Sequence, residues 1–102
     1  MDGAEVVDDR DNKRFVVERD GSVAQLVYRD EGDRLIITHT EVPEELGGQG
    51  VGGRLVRAAA ERAAAEGLTV HPWCPFARRW LRKHPDVADT ITIDTTPPPK
   101  DG

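Results

Sequence analysis

Three runs rich in β-branched and aromatic residues, RFVVE, SVAQLVYR and RLIITHTEV, follow one another between residues 14 and 42, separated by Asp20-Gly21 and Glu31-Gly32-Asp33. Runs of this kind broken by glycine steps predict an antiparallel meander, with strands at about Arg14 to Glu18, Ser22 to Arg29 and Arg34 to Val42. In the third strand, simple alternation puts Leu35, Ile37 and His39 on one face and Ile36, Thr38 and Thr40 on the other. Apolar residues on both faces predict a central strand that is covered on both sides.

After Pro43, which cannot donate to a ladder, the period changes from two to that of a helix. Val51, Leu55, Ala59 and Ala63 form a stripe of mostly small side chains along a helix from Gly50 or Val51 to Glu66, with Arg54, Arg57, Glu61 and Arg62 facing water. Gly67 stops it at a position suited to a left-handed residue. LTVH, residues 68 to 71, reads as a short strand, and Pro75 as the first residue of a helix PFARRWLRKH that ends before Pro85, with Phe76 and Trp80 facing inward. The expected architecture is α+β: an antiparallel strand meander, then a β-α-β unit, then a C-terminal helix. It divides into an acidic, flexible leader at residues 1–12, one domain at 13–94 and a Pro-rich, disordered tail at 95–102.

A length of 102 residues with 37% hydrophobic and 32% charged content fits a single soluble domain. No apolar run approaches the ~20 residues needed to span a bilayer, and the acidic start lacks a signal peptide's basic and apolar regions. A cytoplasmic protein without membrane attachment is expected, as a monomer or weak homodimer. The lone cysteine, Cys74, excludes an intramolecular disulfide. Net charge is -5, distributed as -5 over residues 1–33, +3 over 34–85 and -3 over 86–102. A basic middle in an acidic chain suits a small polyanion and argues against a nucleic-acid partner.

That middle contains EVPEELGGQGVGGRL, with five glycines at residues 47–53. Glycine is entropically costly, so its concentration at the mouth of a helix points to backbone N–H groups that must approach a phosphate closely. A P-loop is excluded, because Gly53 precedes Arg54 and Leu55 instead of Lys and Ser or Thr. Gly48, Gly50 and Gly53 spell the dinucleotide fingerprint, yet the acidic ribose ligand expected ~20 residues further on is missing. The segment THTEVPEELGGQGVGGRLVRAAAERAAAEGLTVHPWCPFARRWLRKHPD resembles the small, stand-alone branch of the GCN5-related N-acetyltransferase superfamily, most specifically in HTEVP, GQGVG and the CPF step before R-x-x-x-HP. The resemblance covers nearly the whole chain. It implies a minimal acetyltransferase fold and a loop binding acetyl-CoA, with Gly47, Gly48, Gln49, Gly50, Val51 and Gly52 occupying the Arg/Gln-x-x-Gly-x-Gly/Ala pattern. Gly47 stands where that pattern has Arg or Gln, which removes a side chain and leaves the backbone donors. It further implies that the strand end around Glu41 and Val42 pairs with the pantetheine amides. Gly53 extends the run of donors, and either Arg54 or Arg78, Arg79 and Arg82 would meet the outer phosphate of CoA.

Acetyl transfer to an amine requires positioning, a proton acceptor and a donor for the developing oxyanion. Glu41 and His39 at the end of the third strand, and His71 on the next, are the available bases; Cys74 is either a thiol that accepts the acetyl group or a small buried hydrophobe. His71 and Cys74 make H-x-x-C without a second pair, so no metal is expected. Three functions follow: an N-acetyltransferase acting on an unidentified amine, a non-catalytic CoA or acyl-CoA binding module, or an interaction domain that keeps the fold.

Overall fold

The computed structural model describes residues 6–48 and 50–96. Gln49, the first five residues of the leader and residues 97–102 of the tail lie outside them. Among the described residues a six-stranded sheet is ordered as in sequence: β1 (Val7–Asp9), β2 (Arg14–Arg19), β3 (Ser22–Glu31), β4 (Arg34–Glu41), β5 (Thr69–Pro72) and β6 (Thr92–Ile93). The first four are antiparallel, and β5 and β6 join in parallel. The helices are α1 (Val51–Glu66), α2 (Pro75–Lys83) and the single turn α3 (Pro85–Ala88). None is long and apolar enough to cross a membrane.

The meander and the β4-α1-β5 crossover agree with the sequence. Asp20 and Gly21 adopt φ of 53° and 84°, the paired left-handed conformation that matches the twist of a two-residue hairpin. Gly67 closes α1 at φ 69°, its N–H donating to the Ala63 carbonyl. The core lies between the sheet and α1, where Val17, Leu26, Leu35 and Ile37 meet Leu55, Ala59 and Ala63. The alanines let α1 sit close to the sheet.

Four expectations are corrected. Part of the acidic leader is structured: Val7–Asp9 forms an edge strand on β2. The helix that ends before Pro85, as expected, is not the last element: proline suits the first position of a new turn, and α3 leads into β6 beside β5. Arg62 does not face water. It is buried at 9% exposure, where Nη2 donates to Asp30 at 2.5 Å, Nη1 to Asp8 at 3.4 Å and Nε to Glu66 at 3.3 Å, with the guanidinium 5.2 Å from the Tyr28 ring centroid. Three carboxylates from β1, β3 and α1 itself compensate its burial.

The fourth correction concerns β4. Tyr28 pairs with Ile37 but Val27 pairs with His39, so Thr38 is an extra residue, a β-bulge whose hydroxyl donates to the Val27 carbonyl at 3.2 Å. Directly paired residues share a face. Thr40, opposite the core residue Leu26, therefore joins Leu35 and Ile37 on the helix side, while His39 and Glu41, opposite Val27 and Gln25, share the other face with Ile36. One inserted residue inverts the alternation for the strand's last three positions.

Candidate functional site

The glycines do three different jobs. Gly48 and Gly50 have φ of 79° and 73°, and a Cβ added to either would meet nothing within 4 Å. Their requirement is conformational: they turn the chain from the 3-10 turn Glu44–Leu46 into α1. Gly52 and Gly53 are helical, and there a Cβ would lie 2.7 Å from the tip of the Phe76 ring and 2.4 Å from Trp80 Nε1. Their requirement is close approach of α2. Gly47 has an ordinary φ of -66°, and its N–H already donates to the Glu44 carbonyl at 3.0 Å. Its N–H is engaged in that turn, while the residue itself lines the groove described below.

Gly50 caps α1 without a side-chain hydrogen bond, and the first turn contains no acidic residue. The first helical bond runs from Arg54 N–H to the Gly50 carbonyl at 3.1 Å, so the N–H groups of Val51, Gly52 and Gly53 have no acceptor within the helix. Together with the positive end of the helix dipole they make an anion-binding end. An open groove of about 620 Å³ passes over it, from Val42 and Pro43 at the end of β4, along the glycines, to Arg54, Arg57 and Trp80. A pyrophosphate fits this donor set.

Of the expected cations, Arg54 borders the groove, joined by Arg57, whereas Arg78, Arg79 and Arg82 border a separate hollow on the other side of α2. The helical period explains the split: residues 78 and 82 stand nearly half a turn from residues 76 and 80. Phe76 and Trp80 were expected in the core; Trp80 packs against it, but Phe76 is 40% exposed, and both line the groove. Behind them His84 stacks on Trp80 with centroids 3.8 Å apart, Nδ1–H donating to the Trp80 carbonyl at 2.8 Å, and Arg57 covers the indole at 5.6 Å. The i, i+4 spacing of Phe76, Trp80 and His84 was the available signal for this wall.

In the chain before Val42, where the groove begins, β4 and β5 part. Their pairing stops at Ile37 with Pro72, and Cys74 N–H closes the gap by donating to the Ile37 carbonyl at 3.0 Å. Beyond Ile37, β4 runs on to Glu41 with no β5 partner, a free strand edge that leads directly to Val42. Cys74 sits at the parting point, buried at 6% exposure, its thiol donating to Thr40 Oγ1 at 3.5 Å. Thr40 was not a sequence candidate, because only the bulge turns it toward Cys74. His39 and Glu41 are exposed on the opposite face, where Glu41 Oε1 accepts from Gln25 Nε2 at 3.0 Å. The three catalytic candidates thus flank the free edge from two sides and do not form one cluster. His71 is buried lower on β5, with Nδ1 3.9 Å from Asp94 Oδ2, and is not part of this edge. Among the described residues no group of three or more His, Cys, Asp or Glu is placed to hold a metal.

Comparison with known proteins agrees with this geometry. The sequence profile described as GCN5-related N-acetyl-transferase matches residues 14–90. Protein NATD1 of Gallus gallus is 31% identical over 84 residues, covering 79% of this chain and 76% of its own, and Protein NATD1 of Homo sapiens is 31% identical over 80 residues, covering 76% and 71%. The solution structure of a GCN5-like protein from Staphylococcus aureus superposes with a TM-score of 0.69 at 30% identity, over 93% of this chain and 95% of that one. From β2 to the turn after α3, then, this chain belongs to the GCN5-related N-acetyltransferase family.

Proposed function

We propose that the protein transfers acetyl from acetyl-CoA to an amine, by direct attack of the amine on the thioester. The observation that carries this reading is one groove that starts at Val42 and Pro43, directly after the free edge of β4, and runs to the N-terminus of α1. The edge offers backbone groups for pantetheine amides in the manner of an added strand. Val51, Gly52 and Gly53 offer N–H donors for a pyrophosphate, with Arg54 and Arg57 alongside. Acetyl-CoA supplies an activated acyl group with a thiol as leaving group, and the chain needs chiefly to orient it.

An amine of lysine type is protonated in water, with a pKa of ~10.4, and must lose a proton before it attacks. Glu41 and His39 stand on the open face at the end of β4, where an acceptor has free access, and either takes that proton directly or through a water. Cys74 lies on the helix side with its proton directed at Thr40 and serves as the wall of the gap. A second reading, a CoA-binding module without turnover, draws on the same exposure: among the described residues nothing covers His39 or Glu41 to hold an acceptor.

Calorimetric titration with acetyl-CoA and CoA tests the binding half, using Gly50→Asn and Gly50→Asp. Both side chains tolerate a left-handed backbone comparably and are isosteric, so the pair isolates charge. Asn should bind within a few-fold of the parent and Asp at least tenfold more weakly. Equal affinities for the two, or no binding by the parent, would sink the reading. Turnover with an amine panel then separates enzyme from module, Glu41→Gln being expected to lower kcat while leaving CoA affinity unchanged.

A further inference from the structure

The arginines of α2 that do not border the groove form a second cationic surface. Arg79 and Arg82 are exposed and Arg78 half-buried, and with Pro75 they enclose a hollow of about 250 Å³. Arg78 is fixed from below, Nη2 donating to the Trp73 carbonyl at 3.4 Å. In a chain of 19 acids and 14 bases, Arg10, Arg14, Arg29, Arg34 and Arg62 each pair with a carboxylate. Among the described residues none lies within ion-pair distance of Arg78, Arg79 or Arg82. Acids are in excess, yet this strip is left unneutralised.

Arg78 and Arg82 also form the rim of an adjoining hollow of about 210 Å³ whose floor is apolar, made by Pro72, Leu81, Ala88 and Ile93. Three guanidinium groups beside an apolar floor are complementary to carboxylates flanking an aliphatic side chain. We infer that this face of α2 docks an acidic polypeptide segment, a stretch of Asp and Glu interrupted by a residue such as Leu. Guanidinium groups bind carboxylates through paired N–H donors, and the apolar floor supplies the selection that charge alone lacks. A nucleic acid fits less well. Residues 78 to 82 advance only about 6 Å along the helix axis and meet one or two phosphates, against the 6–10 contacts that give tight duplex binding, and the whole molecule repels a polyanion. The surface is independent of the CoA groove, which lies on the opposite side of α2.

The test is fluorescence anisotropy of a short fluorescein-labelled peptide of Asp and Glu around one Leu, titrated with the full chain at low salt. The expected result is saturable binding, weakened at least tenfold by Arg79→Glu with Arg82→Glu and kept within a few-fold by Arg54→Glu with Arg57→Glu. The first pair carries exposed side chains, and an unchanged thermal midpoint shows that it still folds; Arg79→Gln with Arg82→Gln repeats the loss without reversing charge. Absence of saturable binding overturns the inference. So does equal weakening by the two charge-reversed pairs, which would make the effect one of net charge, and so does tighter binding of a single-stranded oligothymidylate than of the peptide.

Discussion

Gly53 and Trp80 are in contact across the α1–α2 interface so closely that a methyl group on Gly53 would stand 2.4 Å from the indole Nε1. Gly52 has the same relation to Phe76, but there the nearest atom is the free tip of a ring that is 40% exposed. The two adjacent glycines should therefore respond differently to alanine. Overpacking costs roughly 1–3 kcal/mol where the neighbour cannot move, and alanine in a helix returns up to about 1 kcal/mol. Gly53→Ala should lower stability in urea by about 1 kcal/mol and relax toward the parent when combined with Trp80→Ala. For Gly52→Ala the expected change is near zero or stabilising, since Phe76 can swing outward. Similar losses at both positions would mean that Phe76 is held as firmly as Trp80.

Arg62 ties β1, β3 and α1 together through Asp8, Asp30 and Glu66. Its removal leaves three carboxylates that are 20 to 37% exposed and can partly rehydrate. Loss of one partner from a fully buried pair costs about 3–5 kcal/mol, so Arg62→Ala should cost somewhat less, roughly 2–3 kcal/mol in chemical denaturation. Arg62→Met, which keeps the stem over Tyr28, should recover part of that loss. A cost below about 0.5 kcal/mol would show that the network behaves as an ordinary surface ion pair.

Tyr28 sets an alkaline limit. Burial, together with the hydrogen bond its hydroxyl donates to Asp8 at 2.7 Å, pushes its pKa from 10.0 up to about 12. The proton is thus held more tightly in the folded chain, and the stability this confers is complete below pH 10 and lost as pH rises toward 12. Subtracting the stability curve of Tyr28→Phe from that of the parent should leave a difference that declines across this window. A flat difference would mean that the phenol titrates alike in both states.

At the acid end Glu66, like Asp9 and Asp94, titrates below the ordinary carboxylate range. The hydrogen bond from Arg10, at 2.8 Å, holds its carboxyl below the usual range, assisted by Arg62. A depressed carboxylate stabilises above its unfolded pKa and loses that contribution as pH falls through its folded value. Glu66→Gln should accordingly matter at neutral pH and converge with the parent in acid, followed by two-dimensional NMR titration of the Glu66 carboxyl. A folded pKa at or above 4.5 would contradict the pairing.

Cys74 and Thr40 separate two routes for the acetyl group. With the thiol 6% exposed and donating to Thr40 Oγ1, Cys74→Ala should keep CoA affinity and most of the turnover. Loss of turnover by more than about tenfold, with an acetylated Cys74 found by mass spectrometry of the parent, would move the mechanism to a covalent route.

The sequence by itself determined strands β2 to β5, the crossover and the glycine-rich entry to α1, because each rests on local signals: two-residue and helical periods, turn glycines and prolines at element ends. It also pointed to Val51, Gly52 and Gly53, since a helix N-terminus leaves its donors unpaired whatever surrounds it. Tertiary structure alone decided what each glycine is for. Gly48 and Gly50 differ from Gly52 and Gly53 only through a backbone angle and the approach of α2. It likewise decided that Arg62 is buried and that Arg54, not Arg78, borders the groove, because helix faces acquire meaning only from what packs against them. The bulge at Thr38 decided the most. No propensity marks it, yet it turns Thr40 toward Cys74 and sends His39 and Glu41 to the opposite face, because side-chain direction in a strand is counted residue by residue from the pairing of its neighbour.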